Sequence, residues 1–247
     1  VRLRIALDAP HAGRWWWTSE LRTPEELHLR QGAKDLGGFG SGIRFADRPG
    51  GALPVVIPLD LHGGPETLFV TASDPQGDVL FDVQWIPDAM LLARLQNHAA
   101  RDALILGMLT VIFLVATYLW WTVRLRAFAL YTAYVATGTF WVCTKTGFAA
   151  MLLWPDHPVW NHAGPSFASR LSLALFLSFL REITDLRRHF PRLCRILDIG
   201  IRWEMMCAAF ALTSVAFPDF HAAILRRFTP EILEGPTLLL GFGMVVW

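Results

Sequence analysis

The chain has 247 residues, of which 53% are hydrophobic and 17% are charged, and its formal net charge is +1. Soluble domains usually carry about 25% charged residues, so the composition favours a membrane protein. No basic surface is indicated, which argues against nucleic acid as a partner.

The first 102 residues are more polar than the rest and rich in turn residues. They hold 10 Lys and Arg against 13 Asp and Glu, with 11 of the 19 glycines and 8 of the 15 prolines. Short alternating segments separated by turn signals predict strands at 2–7, 26–30, 53–61, 67–73 and 79–86. Because no helical pattern interrupts them, we predict an all-β sandwich, jelly-roll-like, over residues 1–86.

Three consecutive tryptophans lie in the segment "RWWWTSEL" (14–21). Stacked aromatic side chains commonly bind sugars, so Trp15 and Trp17 are candidate ligand-binding residues. The alternative is structural: strand alternation would bury either Trp16 or the Trp15/Trp17 pair in the core.

No motif in the chain predicts catalysis, a metal ion or a cofactor. The three cysteines, Cys143, Cys194 and Cys207, are too far apart for a metal knuckle, and free buried thiols are the better interpretation. The glycine-rich "GGFGSG" (37–42) lacks a following G-K-[ST], so we predict a loop tip and not a phosphate loop. We therefore expect no catalytic residues in this chain.

Residues 87–102 show helical periodicity, with Pro87 and Asp88 suited to a helix start. Residues 103–123 follow without a single charge and are long enough to cross a bilayer. We predict a juxtamembrane helix at 87–102 and a transmembrane region at 103–247. Its predicted helices lie at about 103–123, 127–144, 166–180, 204–217 and 236–247.

The distribution of arginine predicts the orientation of these spans. Arg124 and Arg126 follow the first span, and the predicted loop 181–203 holds six arginines against three acids. Basic loops are retained in the cytoplasm, so the β-domain is expected on the outer side.

Arg170 is the one basic residue inside a predicted span, one turn from its outer end. An intramembrane charge is costly and raises a functional hypothesis. Arg170 could instead extend to the headgroups or form a structural pair.

The segment "MLLWPDHPVWNHAG" (151–164) separates two apolar stretches. Asp156, His157 and His162 could serve as metal ligands, but their spacing does not match a helical metal motif. The prolines at 155, 158 and 165 are expected to exclude a regular helix, and the tryptophans suit a membrane interface. We predict an interfacial loop.

Several stretches together resemble bacterial seven-transmembrane receptors with diverse intracellular signalling modules. "LPVVIPLDLHGGPETLFVTASDPQGDVLFDVQWIPDAMLLARLQ" is similar to part of their periplasmic jelly-roll sensor. "AFALYTAYVATGTFWVCTKTGFAAMLLWPDHPVWNHAGPSF" resembles the second helix and outer loop, and "SFLREITDLRRHFPRLCRILD" the third helix and next loop. The chain begins without methionine and stops within an apolar run, so we expect a fragment that lacks residues at both ends.

The resemblance implies a multi-pass protein of the bacterial inner membrane with a periplasmic N-terminal domain. It implies an unidentified ligand, carbohydrate-like in type, and a cytoplasmic output domain such as a diguanylate cyclase or histidine kinase. Membrane lipid is a further expected partner, and a homodimer is left open. Two alternatives stay open: a membrane enzyme of envelope polysaccharide metabolism, and a structural envelope protein that binds a protein partner.

Overall fold

The computed structural model divides the chain into two compact units. One contains Val1–Ala103 with Thr146–Asn161, and the other contains Leu104–Lys145 with His162–Trp247. The predicted span at 236–247 and strand positions 79–83 lie outside the described residues. The structure describes residues 2–9, 12–18, 26–32, 34–40, 42–44, 47, 56–62, 64–73, 84–184 and 190–217.

The first unit contains seven described strands in two small antiparallel sheets. A four-stranded sheet has the order β1-β6-β3-β4, and a three-stranded sheet has the order β5-β2-β7. The strands are β1 (Arg2–Ala9), β2 (Gly13–Thr18), β3 (Glu26–Gln31), β4 (Lys34–Phe39), β5 (Val56–Leu61), β6 (Gly64–Ser73) and β7 (Gln84–Pro87). The predicted β structure of this region is therefore present, in the form of antiparallel sheets, and the jelly-roll sandwich stays a prediction.

Both sheets contribute to one hydrophobic core because their strands alternate between buried and exposed residues. In β5, for example, Leu59 and Leu61 are buried while Pro58 and Asp60 are exposed. Pro58 lies on an edge strand, where a missing backbone N–H breaks no ladder between two neighbours. The buried cluster consists of Trp17, Leu27, Leu29, Ile57, Leu59, Leu61, Leu68 and Val70.

The glycine-rich segment is not a loop tip over its whole length, which corrects the expectation for 37–42. Residues 37–39 belong to β4, which pairs antiparallel with β3. Gly38 lies opposite His28, and a β-carbon on Gly38 would come within 3.1 Å of the His28 ring. The close approach of this ring explains why a glycine can occupy a strand position here.

Five helices are described in the remainder of the chain. They are α1 (Asp88–Val123), α2 (Arg126–Thr146), α3 (Phe148–Leu152), α4 (Trp160–Ile183) and α5 (Pro191–Ala216). Within the part of the chain that the structure describes, three segments are long and apolar enough to cross a membrane: Asp88–Val123, Ala163–Ile183 and Pro191–Ala216. The juxtamembrane helix and the first span, predicted separately, form the single continuous helix α1.

Two helix boundaries differ from the sequence prediction. The segment 204–217 forms only the second half of α5, which already begins at Pro191. Pro165 was expected to exclude a helix but lies inside α4, near its start. A proline there removes one hydrogen bond, a loss that membrane helices tolerate when neighbouring groups satisfy the freed carbonyl.

In the second unit, α4 packs against α2 through aromatic side chains. The rings of Tyr131 and Phe179 lie 5.4 Å apart between centroids, as do those of Tyr134 and Phe176. These pairs run in opposite directions along the two helices, so α2 and α4 are antiparallel. The contacts hold one face of α4 against α2.

Candidate functional site

A buried ion pair joins α4 to α5 in the second unit. Arg170 Nη1 lies 3.3 Å from Glu204 Oε2. The Glu204 side chain is 0% exposed and that of Arg170 is 20% exposed. Arg170 also lies inside a candidate membrane span, Ala163–Ile183, where an ionisable residue is costly unless a partner compensates its charge.

Arg170 lies deeper in its helix than the sequence indicates. Because α4 begins at Trp160, Arg170 is about 15 Å from the helix start at 1.5 Å per residue, and not one turn from it. At this depth the side chain is less able to extend to the lipid headgroups. Its contact with Glu204 supports the structural pair among the roles considered for Arg170.

Small side chains surround Glu204 along the buried face of α5. One stripe of this helix contains buried residues at spacings of three and four: Cys194, Leu197, Gly200, Glu204, Cys207, Ala208 and Ala211. Small residues allow membrane helices to approach closely, and a carboxylate among them has little water nearby. Glu204 is thus the most strongly buried charge among the described residues.

A second ion pair joins the same two helices through Arg181 and Asp198. Its side chains are 28% and 39% exposed, so water screens this pair more than the first. The two pairs together connect α4 and α5 at two levels.

In the first unit, the three-stranded sheet is connected to the start of α1. Strand β7 ends at Pro87 and α1 begins at Asp88, with no residue between them. The indole N–H of Trp16 on β2 donates to Asp88 Oδ1 at 2.6 Å. Arg94 on α1 donates to the Gln84 side chain on β7. We call these two hydrogen bonds the sheet–helix junction.

The structure places the two predicted ligand residues on the core side of β2. Trp17 is 2% exposed and its ring lies 6.1 Å from that of Trp85. Trp15 is half-buried and packs against the same cluster. The burial of the Trp15/Trp17 pair matches the structural alternative, and a ligand contact at either residue stays a prediction.

A cavity of about 440 Å³ lies at one end of the β-sheets. It is lined by Gln31, Gly32, Lys34, Asp60, His62, Glu66 and Thr67. Several of its polar groups bond to one another. The Gln31 amide donates to Glu66 at 2.6 Å and to the Asp60 carbonyl at 2.7 Å, and the His62 backbone N–H donates to Glu66 at 2.5 Å.

These contacts change the acidity of Glu66. Burial by itself raises the pKa of the carboxyl group. Hydrogen bonds from the His62 backbone, the Gln31 amide and the His62 ring outweigh burial, so the pKa of Glu66 lies below its ordinary value of 4.5. The charged form of Glu66 therefore stabilises the β5–β6 turn.

Replacing Glu66 by glutamine is expected to lower the stability of the β-domain by about 1 kcal/mol at neutral pH, since charge-assisted hydrogen bonds are lost. A depressed pKa contributes stability above about 4.5 that disappears as the pH falls through the folded-state pKa. The difference in melting temperature between wild type and E66Q should therefore shrink below about pH 4.5. A difference that is constant from pH 7 to pH 3 would contradict this assignment.

An aromatic cluster joins the loop after α3 to the first residues of α4. The rings of Trp154 and Trp160 lie 5.8 Å apart, and the Trp154 indole N–H donates to Asn161 at 3.0 Å. Asp156 and His157 are exposed, and the side chain of His162 lies outside the description. Among the described residues, no group of three histidine, cysteine, aspartate or glutamate side chains could hold a metal ion.

Comparison with known families gives a match to the second half of the chain. The model described as "7TM diverse intracellular signalling" matches residues 99–247, more than half of the chain. Comparisons with curated proteins and with solved structures gave no match. The matched region includes the Arg170–Glu204 pair and excludes the β-sheets.

Proposed function

Because the chain belongs to the 7TM diverse intracellular signalling family and is thus a membrane signalling receptor, we propose that its β-sheets form the sensor. In this proposal the two sheets are parts of a jelly-roll-like sandwich on the periplasmic side of a bacterial inner membrane. The helices adopt two arrangements, and the ligand binds the receptor more tightly in one of them. Ligand binding therefore shifts the receptor toward that arrangement.

The sheet–helix junction is the observation that supports this proposal. A linker of flexible residues would absorb a movement of the sheet, but β7 continues directly into α1. Trp16 and Arg94 add contacts on either side of that connection. A displacement of the three-stranded sheet would therefore move the first turns of α1.

The ligand and the output complete the proposal. We propose a carbohydrate-like ligand, following the resemblance of the β-domain to periplasmic sensors. The output would be a cytoplasmic diguanylate cyclase or histidine kinase.

Tryptophan fluorescence of the intact protein in nanodiscs, titrated with a panel of neutral and amino sugars, tests the ligand class. The class is contradicted if every sugar leaves the emission unchanged.

The junction can be tested by removing its two hydrogen bonds in the full-length receptor. Trp16→Phe keeps the ring without the N–H, and Arg94→Gln removes the guanidinium. We expect amide hydrogen exchange in residues 84–103 to accelerate about tenfold, and the receptor output measured in native membranes to change. The matched control is Arg14→Gln, which breaks the exposed Arg14–Asp60 pair on the same strand β2.

Each result for the junction has a clear meaning. Unchanged exchange in the double variant would show that the two bonds do not hold the helix start. Faster exchange with unchanged output would contradict the role of the junction in signalling. An equal change in Arg14→Gln would attribute the effect to general loosening of β2.

Fusions of reporter proteins test the proposed orientation. Green fluorescent protein after Leu125 should fluoresce, because arginines at 124 and 126 favour the cytoplasm. Alkaline phosphatase after Asp156 should be active, because that loop is expected in the periplasm. Alkaline phosphatase activity after Leu125 would overturn the orientation.

A further inference from the structure

We propose that the Arg170–Glu204 pair is a latch between α4 and α5, closed in the arrangement described here and open in a second signalling arrangement. The second arrangement rests on the proposed receptor function. The latch itself is a property of two helices and can be tested without any signal.

The first argument is the unequal burial of the two partners. Glu204 is fully buried, whereas a fifth of the Arg170 side chain is exposed. A long arginine side chain can withdraw toward a polar region, but a short, enclosed carboxylate cannot. Opening the pair therefore involves movement of Arg170 relative to α5.

The second argument concerns the surfaces that face each other beside the pair. The buried neighbours of Glu204 on α5 include Gly200, Cys207 and Ala208. Such small side chains let the two helices approach closely but project little from the helix surface, so they offer little steric resistance to a sliding movement. A specific polar contact is then needed to define the register of the two helices.

The third argument is the firmer attachment of α4 on another side. Two aromatic pairs connect α4 to α2, and Gly138 on α2 would bring a β-carbon within 3.9 Å of Ser172. On the α5 side, the second ion pair, Arg181–Asp198, is partly exposed and so weaker. Once the Arg170–Glu204 pair opens, the α4–α5 contact is therefore the more readily rearranged of the two.

Cys207 provides a native probe of this contact. It lies on the buried stripe of α5, is 7% exposed, and is close enough to Arg170 and Glu204 to interact electrostatically with both. In an intact chain with Cys143→Ala and Cys194→Ala, it is the remaining thiol. The limiting rate of its alkylation by membrane-permeant N-ethylmaleimide in lipid nanodiscs, reached at high pH where the thiol is ionised whatever charges surround it, then reports opening between α4 and α5.

We expect Glu204→Gln, which removes the charge with little change in shape, to raise the alkylation rate of Cys207 about tenfold. The double variant Arg170→Glu with Glu204→Arg should return the rate to within about threefold of the parent. Arg192→Gln, an exposed position in the first turn of α5, is the matched control and should leave the rate unchanged. Circular dichroism and thermal unfolding check that each variant is folded.

The proposal is overturned if folded Glu204→Gln alkylates at the parental rate, or if the charge-reversed double variant folds but stays as reactive as the single variant. Should Glu204→Gln fail to fold, the double variant Arg170→Leu with Glu204→Leu in the same background removes the pair without leaving a buried charge and gives the same comparison. Output of the full-length receptor is measured in parallel. If a variant alkylates faster but its output is unaltered, the signalling role of the latch is overturned. If the wild-type receptor itself gives no output, the proposed receptor function is overturned and the latch between the two helices is not.

Discussion

Replacing Arg170 by leucine is expected to lower the free energy of unfolding by about 3–5 kcal/mol, the cost of removing one partner of a buried ion pair. Glu204 would remain at a site with 0% exposure and without its guanidinium partner. Unfolding of the intact chain in mixed micelles, followed by tryptophan fluorescence, measures this cost. Few other single substitutions in the helices should be as damaging.

A double variant distinguishes the loss of a contact from the burial of Glu204 without Arg170. With Arg170→Leu and Glu204→Leu together, both charges are gone, and at least about 2 kcal/mol of stability should return. Arg181→Leu is the control, because its pair with Asp198 is partly exposed and should be worth about 0–1 kcal/mol. If Arg170→Leu costs no more than Arg181→Leu, Glu204 is not in the enclosed environment described here.

The sequence indicated Arg170 as a functional candidate but gave no reason to pair it with Glu204. Hydropathy detects apolar length, so the arginine-containing segment before Glu204 resembled a loop. Helix formation depends on backbone hydrogen bonds and not on apolar composition, and α5 already begins at Pro191. A proline at the first helical position was the available signal. It would have placed Glu204 in the middle of a helix.

Among the strands, the local sequence was sufficient to predict some, whereas others depend on contacts with distant parts of the chain. Alternation was sufficient to predict β5 and β6, because each buries one face in the shared core. Alternation could not predict β4, where Gly37 and Gly38 have low strand propensity. Pairing with β3 and the ring of His28 overrides that propensity, and neither contact is visible in the local sequence.

The second large effect is expected at Trp17. Replacement by alanine should lower the stability of the β-domain by about 3–5 kcal/mol, the usual cost of removing a buried aromatic side chain. Trp17 is 2% exposed, contacts Trp85 and belongs to the cluster that both sheets share. The measurement is thermal unfolding of the intact protein, with the β-domain followed by hydrogen exchange.

Phenylalanine at position 17 separates packing from any ligand role. It fills most of the same volume, and it removes an indole N–H that is buried without a hydrogen-bond partner among the described residues. Its cost should therefore be smaller, about 1 kcal/mol, since removal of an unsatisfied polar group offsets part of the lost packing. If Trp17→Phe preserves the fold but abolishes sugar binding measured by calorimetry, which does not depend on the replaced indole, the ligand hypothesis for Trp17 gains direct support. If Trp15→Ala and Trp17→Phe both fold and bind normally, the tryptophan run acts only in the core, and the ligand must contact another part of the domain.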